Sequence, residues 1–453
     1  MIRSLKKLAL KFGFDKAIMF TSSSTVIGTL GSVISVILVV KYLTGIEQGF
    51  YYTFGSIVAI QIFFELGLNG IITQYVAHEA SNLKWENEDK LIGESIYMSR
   101  LSSLLHFSIK RYLSFGLALL LSLIAVGFVF FNRYDTTNGA TNWVLPWLLL
   151  AIGTTLNLIL SPIIAFVQGL GKVKEIAKFQ FIQQIFRLSL IWCGLILGAK
   201  LYVLGMGSFL GVFFLLLIIL VKYRILLTNI WKTLIVEKVH YYREIFPYQW
   251  KIGLSWISGY FIFQLFNPVL FATEGAVVAG QMGMTLAALN GIQSLSLAWI
   301  TTKVPLFSGL IAQKAYKQLD NIFNKTLKQS VLINFGALAF LTLMIFLIRF
   351  FNVEISGKPL GNRFLNYIPL FFMMLTVFLN QYVASWATYL RCHKKEPYLI
   401  NSIVGGVLCS LSTVLLGKYF GVIGLTSGYC LISLILFPWA YLIFKNKKLE
   451  WHK

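Results

Sequence analysis

Long apolar stretches follow one another along almost the whole chain, separated by short polar segments. A helix needs about 20 residues to cross the hydrocarbon core of a bilayer. Since backbone polar groups in lipid must be satisfied within the helix itself, each stretch is best interpreted as a transmembrane helix. We predict about twelve spans, at 17–43, 48–77, 112–131, 143–168, 178–198, 201–222, 251–272, 276–302, 329–351, 364–390, 398–416 and 420–443. The predicted fold class is therefore an all-α polytopic membrane protein.

Charge is scarce and lies mainly in the connectors. The chain is 57% hydrophobic and 12% charged, which excludes an ordinary water-soluble protein. The net charge of +22 could indicate nucleic acid, but the basic residues are not gathered on one soluble face. We therefore predict no nucleic-acid partner, and favour attraction to membrane lipids.

Basic residues also predict the orientation. Most of the 39 Lys and Arg residues lie in alternate connectors, and cytoplasmic loops carry such an excess. This bias predicts that both termini are cytoplasmic. Residues 1–16 alternate basic and apolar positions, which predicts an amphipathic helix on the cytoplasmic surface of the membrane. The basic connectors are the N-terminus, 78–111, 169–178, 222–251, 303–328, 391–397 and the C-terminus.

The spacing of long and short connectors repeats. It predicts an N-terminal six-helix bundle at 1–222, a cytoplasmic linker at 223–250 and a C-terminal six-helix bundle at 251–453. The tight turn at 197–205 also resembles that at 416–424, although glycine-rich turns look alike in many proteins. Two pseudo-symmetric bundles related by an axis along the membrane normal are typical of transporters, whose binding site lies between the halves.

Polar residues inside spans provide the candidate site, because they are costly in lipid and usually face a partner or a wet cavity. Those in packed Ser, Thr and Gly stripes are explained by close helix packing. For Gln and Asn, packing and substrate binding remain about equally good interpretations. The candidate substrate-binding residues are Gln61, Asn69, Arg187, Lys251, Gln264, Asn267, Asn290 and Lys303.

Charged side chains within the spans or at their ends permit more than one interpretation. Glu65 is a lone carboxylate within a span, so it is either protonated or paired; it serves ion coupling or forms a structural pair with a base. Arg187 cannot lose its charge and must face water, an acid or an anionic ligand. Lys251 and Lys303 lie at the inner ends of spans, where they line a cationic vestibule or merely flank the membrane.

No catalytic motif stands out. The five histidines all lie in connectors, the four cysteines lack metal-like spacing, and no phosphate-cradling G-x-x-x-x-G-K-[ST] loop is present. We therefore predict a transporter that is not an enzyme and has no cofactor and no metal site.

Several segments together resemble polysaccharide-transport flippases of the O-antigen and capsule type, within the multidrug/oligosaccharidyl-lipid/polysaccharide exporter superfamily. The two-bundle plan agrees with this resemblance. The segments that carry it are 41–52 (KYLTGIEQGFYY), 63–68 (FFELGL), 100–105 (RLSSLL) and the Gly-Lys turn at 171–172.

The resemblance implies a function. A flippase of this type would move undecaprenyl-diphosphate-linked oligosaccharide repeat units across the bacterial inner membrane by alternating access, in surface polysaccharide biosynthesis. Proton or sodium would be the coupling ion, and other glycan-assembly proteins are further candidate partners. Two alternatives remain: an ion-coupled multidrug or toxic-compound exporter, and a membrane scaffold for glycan assembly that transports nothing.

Overall fold

A computed structural model describes residues 27–28, 31–32, 34–87, 89–135, 141–355, 358–393 and 395–452. The helix predicted at 1–16 and much of the first predicted span lie outside the described residues. The regular secondary structure of the described chain is helical apart from two short hairpins, β1–β2 (Leu83–Asn87 with Lys90–Gly93) and β3–β4 (Glu354–Ile355 with Lys358–Pro359).

The α-helices carry the architecture. Short 3-10 segments at Ala59–Gln61 and Leu360–Arg363, and π-turns at Gln168–Lys172 and Tyr241–Ile245, connect some of them. The helices are α1 (34–42), α2 (Gly45–Val58), α3 (Ile62–Glu65), α4 (Leu68–Ala80), α5 (Ser95–Tyr134), α6 (Val144–Val167), α7 (Val173–Ile196), α8 (Tyr202–Lys232), α9 (Phe246–Phe263), α10 (Phe266–Glu274), α11 (Ala276–Thr301), α12 (Val304–Ala312), α13 (Tyr316–Phe350), α14 (Tyr367–Arg391) and α15 (Leu399–Trp451).

Within the described residues, eight helices are long and apolar enough to cross a membrane, or nine if a bent pair at Gly45–Ala80 counts as one span. Two of the eight contain sharp bends, at Gly171 (φ 87°) and Gly421 (φ 57°), so each covers two predicted spans. Every predicted span from the second onward coincides with a described helix, one limb of a bent helix or a helix pair. The prediction of an all-α polytopic membrane protein is confirmed.

The second predicted span is broken rather than continuous. Between α3 and α4, Leu66 (φ 46°) and Gly67 (φ 72°) adopt left-handed backbone conformations, and the two parts meet at 41°. Gly67 suits this position because a Cβ there would collide with the Ile252 side chain of α9. The break therefore packs on α9.

A close seam joins α2 to α11. A Cβ at Gly49 would collide with the backbone of Ala276, which shows how closely the two helices approach. The Gln48 amide donates to the Gly280 carbonyl (2.7 Å), and the Arg363 guanidinium donates to the Leu43 carbonyl (2.9 Å). The sequence places Arg363 in a polar connector, but its side chain is buried. Its guanidinium also donates to Gln48 Oε1 (3.3 Å), so two acceptors compensate the buried charge.

Residues 233–245, within the segment predicted as a linker, lie along α5. The Ser99 hydroxyl accepts from the backbone N–H groups of Val236 and Glu237, each at 2.8 Å. The neighbouring Arg100 guanidinium donates to Glu79 (2.9 Å) and Glu244 (2.7 Å). These contacts tie the segment between α8 and α9 to the first part of the chain.

Candidate functional site

A polar cavity of about 590 Å³ lies among α2, α6, α7 and α8. We call it the arginine cavity. Its lining brings together two side chains predicted for binding, Gln61 and Arg187, with further polar residues. The polar lining residues are Gln61, Thr154, Asn157, Gln180, Gln183, Gln184, Arg187 and Ser208.

Arg187 is exposed to this cavity. Its aliphatic stem passes over two glycines of α8: a Cβ at Gly207 or Gly211 would lie 3.4 Å from the arginine side chain. The glycines thus leave room for the stem, which rests on the helix and presents the guanidinium. Among the described residues, no carboxylate lies within ion-pair distance of Arg187. A guanidinium in a low-dielectric surrounding attracts an anion much more strongly than it would in water.

Glu65 lies at the end of α3, directly before the break. Its Oε1 accepts from the Asn69 amide (2.6 Å), and Asn69 Oδ1 accepts from the Tyr112 hydroxyl (2.7 Å). The Ser161 hydroxyl is a longer donor to the same oxygen, at 3.4 Å. Within the described chain, no Lys, Arg or His lies within ion-pair distance of Glu65. Its carboxylate is hydrogen-bonded to an amide and not to a cation. The structure places Asn69 in this network and not among the residues that line the arginine cavity.

A second cavity, of about 1040 Å³, lies mainly among α9, α14 and α15. We call it the aromatic cavity. It contains the predicted Gln264, together with aromatic rings that the sequence analysis did not single out. Aromatic residues at helical spacing look like ordinary core or lipid-facing positions in a sequence. Lining residues with polar or aromatic side chains include Ser255, Trp256, Tyr260, Phe263, Gln264, Asn380, Asn401, Ser402, Tyr429 and Phe437.

The remaining predicted binding residues are not brought together. Asn267 is buried and donates to the Ser56 hydroxyl (3.0 Å), which links α10 to α2. Asn290 and Lys303 are exposed and line neither cavity. Lys251 lies on α9, and its side chain is outside the described part of the structure.

Comparison with known proteins places this fold. No family model and no curated protein matches the chain. An inward-facing multidrug resistance MATE family transporter of the MOP superfamily is 13% identical, with 95% of this chain and 99% of that chain covered and a TM-score of 0.62. The lipid II flippase MurJ, in an inward closed conformation, is 15% identical over 95% and 87% of the chains, with a TM-score of 0.56.

A third similar structure is a MOP superfamily transporter from Pyrococcus furiosus whose binding pocket has reversed polarity. It is 14% identical over 95% of each chain, with a TM-score of 0.52. Identities this low establish the fold alone. The fold is thus that of MOP superfamily transporters, and the resemblance to polysaccharide flippases stays a prediction.

Proposed function

We propose that the protein is a flippase for undecaprenyl-diphosphate-linked oligosaccharide repeat units. It would act in the bacterial inner membrane, with both termini cytoplasmic, in the biosynthesis of a surface polysaccharide such as O-antigen. The observation that carries this proposal is the arginine cavity. The guanidinium of Arg187 is planar and permanently charged, and guanidinium groups bind phosphate through paired hydrogen bonds.

The cavity lining fits the rest of such a head group. Four glutamines and an asparagine line the cavity with Arg187, and amides can both donate to and accept from sugar hydroxyls. A diphosphate next to a sugar needs this combination of one strong cation and several neutral polar groups. The fold agrees, because it is shared with a lipid II flippase.

Alternating access would use the two bundles predicted from the sequence, 1–222 and 251–453. In this proposal the α2–α11 seam closes one end of the path, and opening it requires the Gln48 and Arg363 hydrogen bonds to break together. The hydrophobic undecaprenyl tail would stay in lipid while the head group passes between the bundles.

Ion coupling is assigned to Glu65. An ionised carboxylate only accepts hydrogen bonds, whereas a protonated one can also donate. Loading or losing a proton, or exchanging it for sodium, would therefore change the bond with Asn69 beside the helix break. In this proposal the change shifts α4 relative to α3, because α4 begins two residues after Leu66, at the break.

A multidrug exporter is the second candidate, since a MATE transporter shares the fold. Exporters of amphipathic cations need acids in their cavity. The arginine cavity has no Asp or Glu among its described lining residues and contains a cation instead, so it favours anionic cargo. A scaffold that transports nothing has no evident use for such a cavity.

Complementation tests the proposal. A strain that lacks the protein should accumulate lipid-linked repeat units on the cytoplasmic leaflet, and Arg187→Ala should restore transport about 10- to 100-fold less well than the parent chain, since a hydrogen bond to a charged group is worth about 1.5–3 kcal/mol. The matched control is Lys418→Ala, which removes an exposed cation outside both cavities. Equal complementation by the two variants at equal expression would contradict the assignment of Arg187.

A further inference from the structure

The aromatic cavity has a chemistry that the arginine cavity lacks. We propose that it binds uncharged sugar residues of the lipid-linked oligosaccharide while Arg187 binds the diphosphate. This inference rests on the proposed function and adds to it a second subsite, with its own ligand chemistry, in the other half of the chain.

Aromatic rings on α9 form the first part of the argument. Trp256, Tyr260 and Phe263 are spaced four and three residues apart, so they lie on one face of the helix and all line the cavity. Trp256 is 40% exposed and Phe263 is 49% exposed. The C–H face of a sugar ring is apolar and flat, and an aromatic ring offers it a large surface at little conformational cost.

The second part is an unsatisfied polar group. Asn401 is only 8% exposed, and its Nδ2 has no hydrogen-bond partner among the described residues, although the side chain lines the cavity. A buried donor without an acceptor costs free energy. A sugar hydroxyl would satisfy it, whereas the hydrocarbon tail of a polyprenyl lipid would not, and this difference favours a sugar as the occupant.

Charge provides the third part. Arg391 and Glu396 are the charged side chains among the described lining residues, and they neutralise each other in a two-pronged pair at 2.7 and 3.0 Å. A diphosphate finds no free cation here, so the ligand should be neutral. The volume of about 1040 Å³ reaches the upper end of small-molecule sites, roughly 300–1,000 Å³, and leaves room for more than one sugar ring.

The two cavities are close enough for one molecule. Val58 and Gln61 line the arginine cavity, while Ala59 and Ile62 line the aromatic cavity. The same short helical segment therefore forms a wall of both. A helix with its side chains is about 10–12 Å thick, a distance that a diphosphate and its first sugars can span.

Two glycines allow each cavity to be filled separately. A Cβ at Gly259, in the aromatic cavity, or at Gly55, in the arginine cavity, would meet no atom within 4 Å. The Cβ of a leucine at either position therefore lies in open space, and the rest of the side chain takes up part of the cavity. Gly336→Leu is the matched control, because a Cβ there is equally free and the residue lines neither cavity.

Binding to the purified full chain in lipid nanodiscs is the measurement. The probes are undecaprenyl diphosphate and the lipid-linked oligosaccharide fraction extracted from the organism that encodes the protein. We expect the parent chain to bind the sugar-bearing fraction about tenfold more tightly, as one or two net hydrogen bonds would give. Gly259→Leu and Asn401→Ala should abolish this preference and leave affinity for undecaprenyl diphosphate unchanged, whereas Gly55→Leu should weaken binding of both probes.

The outcomes separate the two proposals. If Gly259→Leu weakens both probes equally, the aromatic cavity holds the lipid tail and the sugar assignment is overturned. If the parent chain shows no preference for the sugar-bearing fraction, or if Gly259→Leu behaves like Gly336→Leu, the inference also fails while the flippase proposal stands. If the parent chain binds neither probe, the proposed function itself fails.

Discussion

Arg100 provides the sharpest test of how the segment after α8 is held. Its guanidinium contacts Glu79 and Glu244, and more distantly Glu237 at 3.5 Å. The Glu79 side chain is 3% exposed and that of Arg100 is 18% exposed. The change Arg100→Ala would leave a carboxylate in a nearly dry position without the cation that compensates it.

The expected cost follows from this burial. Removing one partner of a buried ion pair typically costs about 3–5 kcal/mol, because the other charge remains buried. Since Arg100 keeps some contact with water, we take the lower end, about 3 kcal/mol. Its pair with Glu79 is thus expected to matter far more than the exposed pair of Lys90 with Glu86, whose side chains are 55% and 45% exposed and which should contribute about 0–1 kcal/mol.

Thermal unfolding of the purified protein in detergent is the assay, with both variants scanned at one rate because such unfolding is often irreversible. At about 2–4 °C per kcal/mol for a large domain, Arg100→Ala should lower the apparent Tm by about 6–12 °C, and Lys90→Ala by at most about 4 °C. Combining Arg100→Ala with Glu79→Gln should recover part of the loss. Equal shifts for Arg100→Ala and Lys90→Ala would refute the reasoning.

Three further outcomes are expected. Burial raises the pKa of Glu244, but the His240 backbone N–H and the Arg100 guanidinium outweigh burial and hold this pKa below its ordinary value of 4.5. The contribution of Glu244 to stability is therefore complete above about pH 4.5 and is lost at lower pH. In that range the apparent Tm of the parent chain should fall more steeply than that of Glu244→Gln. Glu65→Gln should keep the bond with Asn69 but blunt any response of transport to the proton gradient, and an unchanged response would leave Glu65 a structural role. Gly49→Ala should lower stability by about 1–3 kcal/mol, because it overpacks the α2–α11 seam. The control Gly336→Ala should raise stability by about 0.5–1 kcal/mol. Thermal scans that rank the two variants the other way would disprove the close approach of α2 and α11.

The helices could be predicted from the sequence because lipid imposes one strong rule: an apolar stretch of sufficient length must be helical. That rule says nothing about residues beyond the bilayer. It therefore did not predict that α5 begins at Ser95, well before the predicted span at 112, or that 83–87 and 90–93 pair as strands. Both features depend on contacts outside the apolar stretch.

The breaks and buried charges were harder to predict because they depend on neighbours that are distant in sequence. Gly67 lies in an apolar span, and its left-handed backbone together with the proximity of Ile252 explains why no side chain fits there. Arg363 lies in a polar connector, and only the Leu43 carbonyl and the Gln48 side chain explain its burial. The hydropathy of a single segment therefore predicts neither the glycine at the break nor the burial of Arg363.

The same limit explains the mixed record for the candidate site. A polar residue within a span indicates that it needs a partner, without saying which one. Arg187 and Gln61 meet in a cavity, Asn267 finds a serine on another helix, and Asn290 is exposed. Periodicity assigns each to a helix face, whereas the packing of several helices decides whether that face lines a cavity or a contact.

The 3-10 segment Ala59–Gln61 connects these observations. In a 3-10 helix residues three apart lie on the same side, which agrees with the lining of one cavity by Val58 and Gln61 and of the other by Ala59 and Ile62. Glu65 follows one turn later, immediately before the break at Leu66. Because the segment is continuous with the break, a change in the bond between Glu65 and Asn69 would move a wall of both cavities at once. In the proposed flippase, this geometry would let one ion-binding event alter the diphosphate and sugar subsites together.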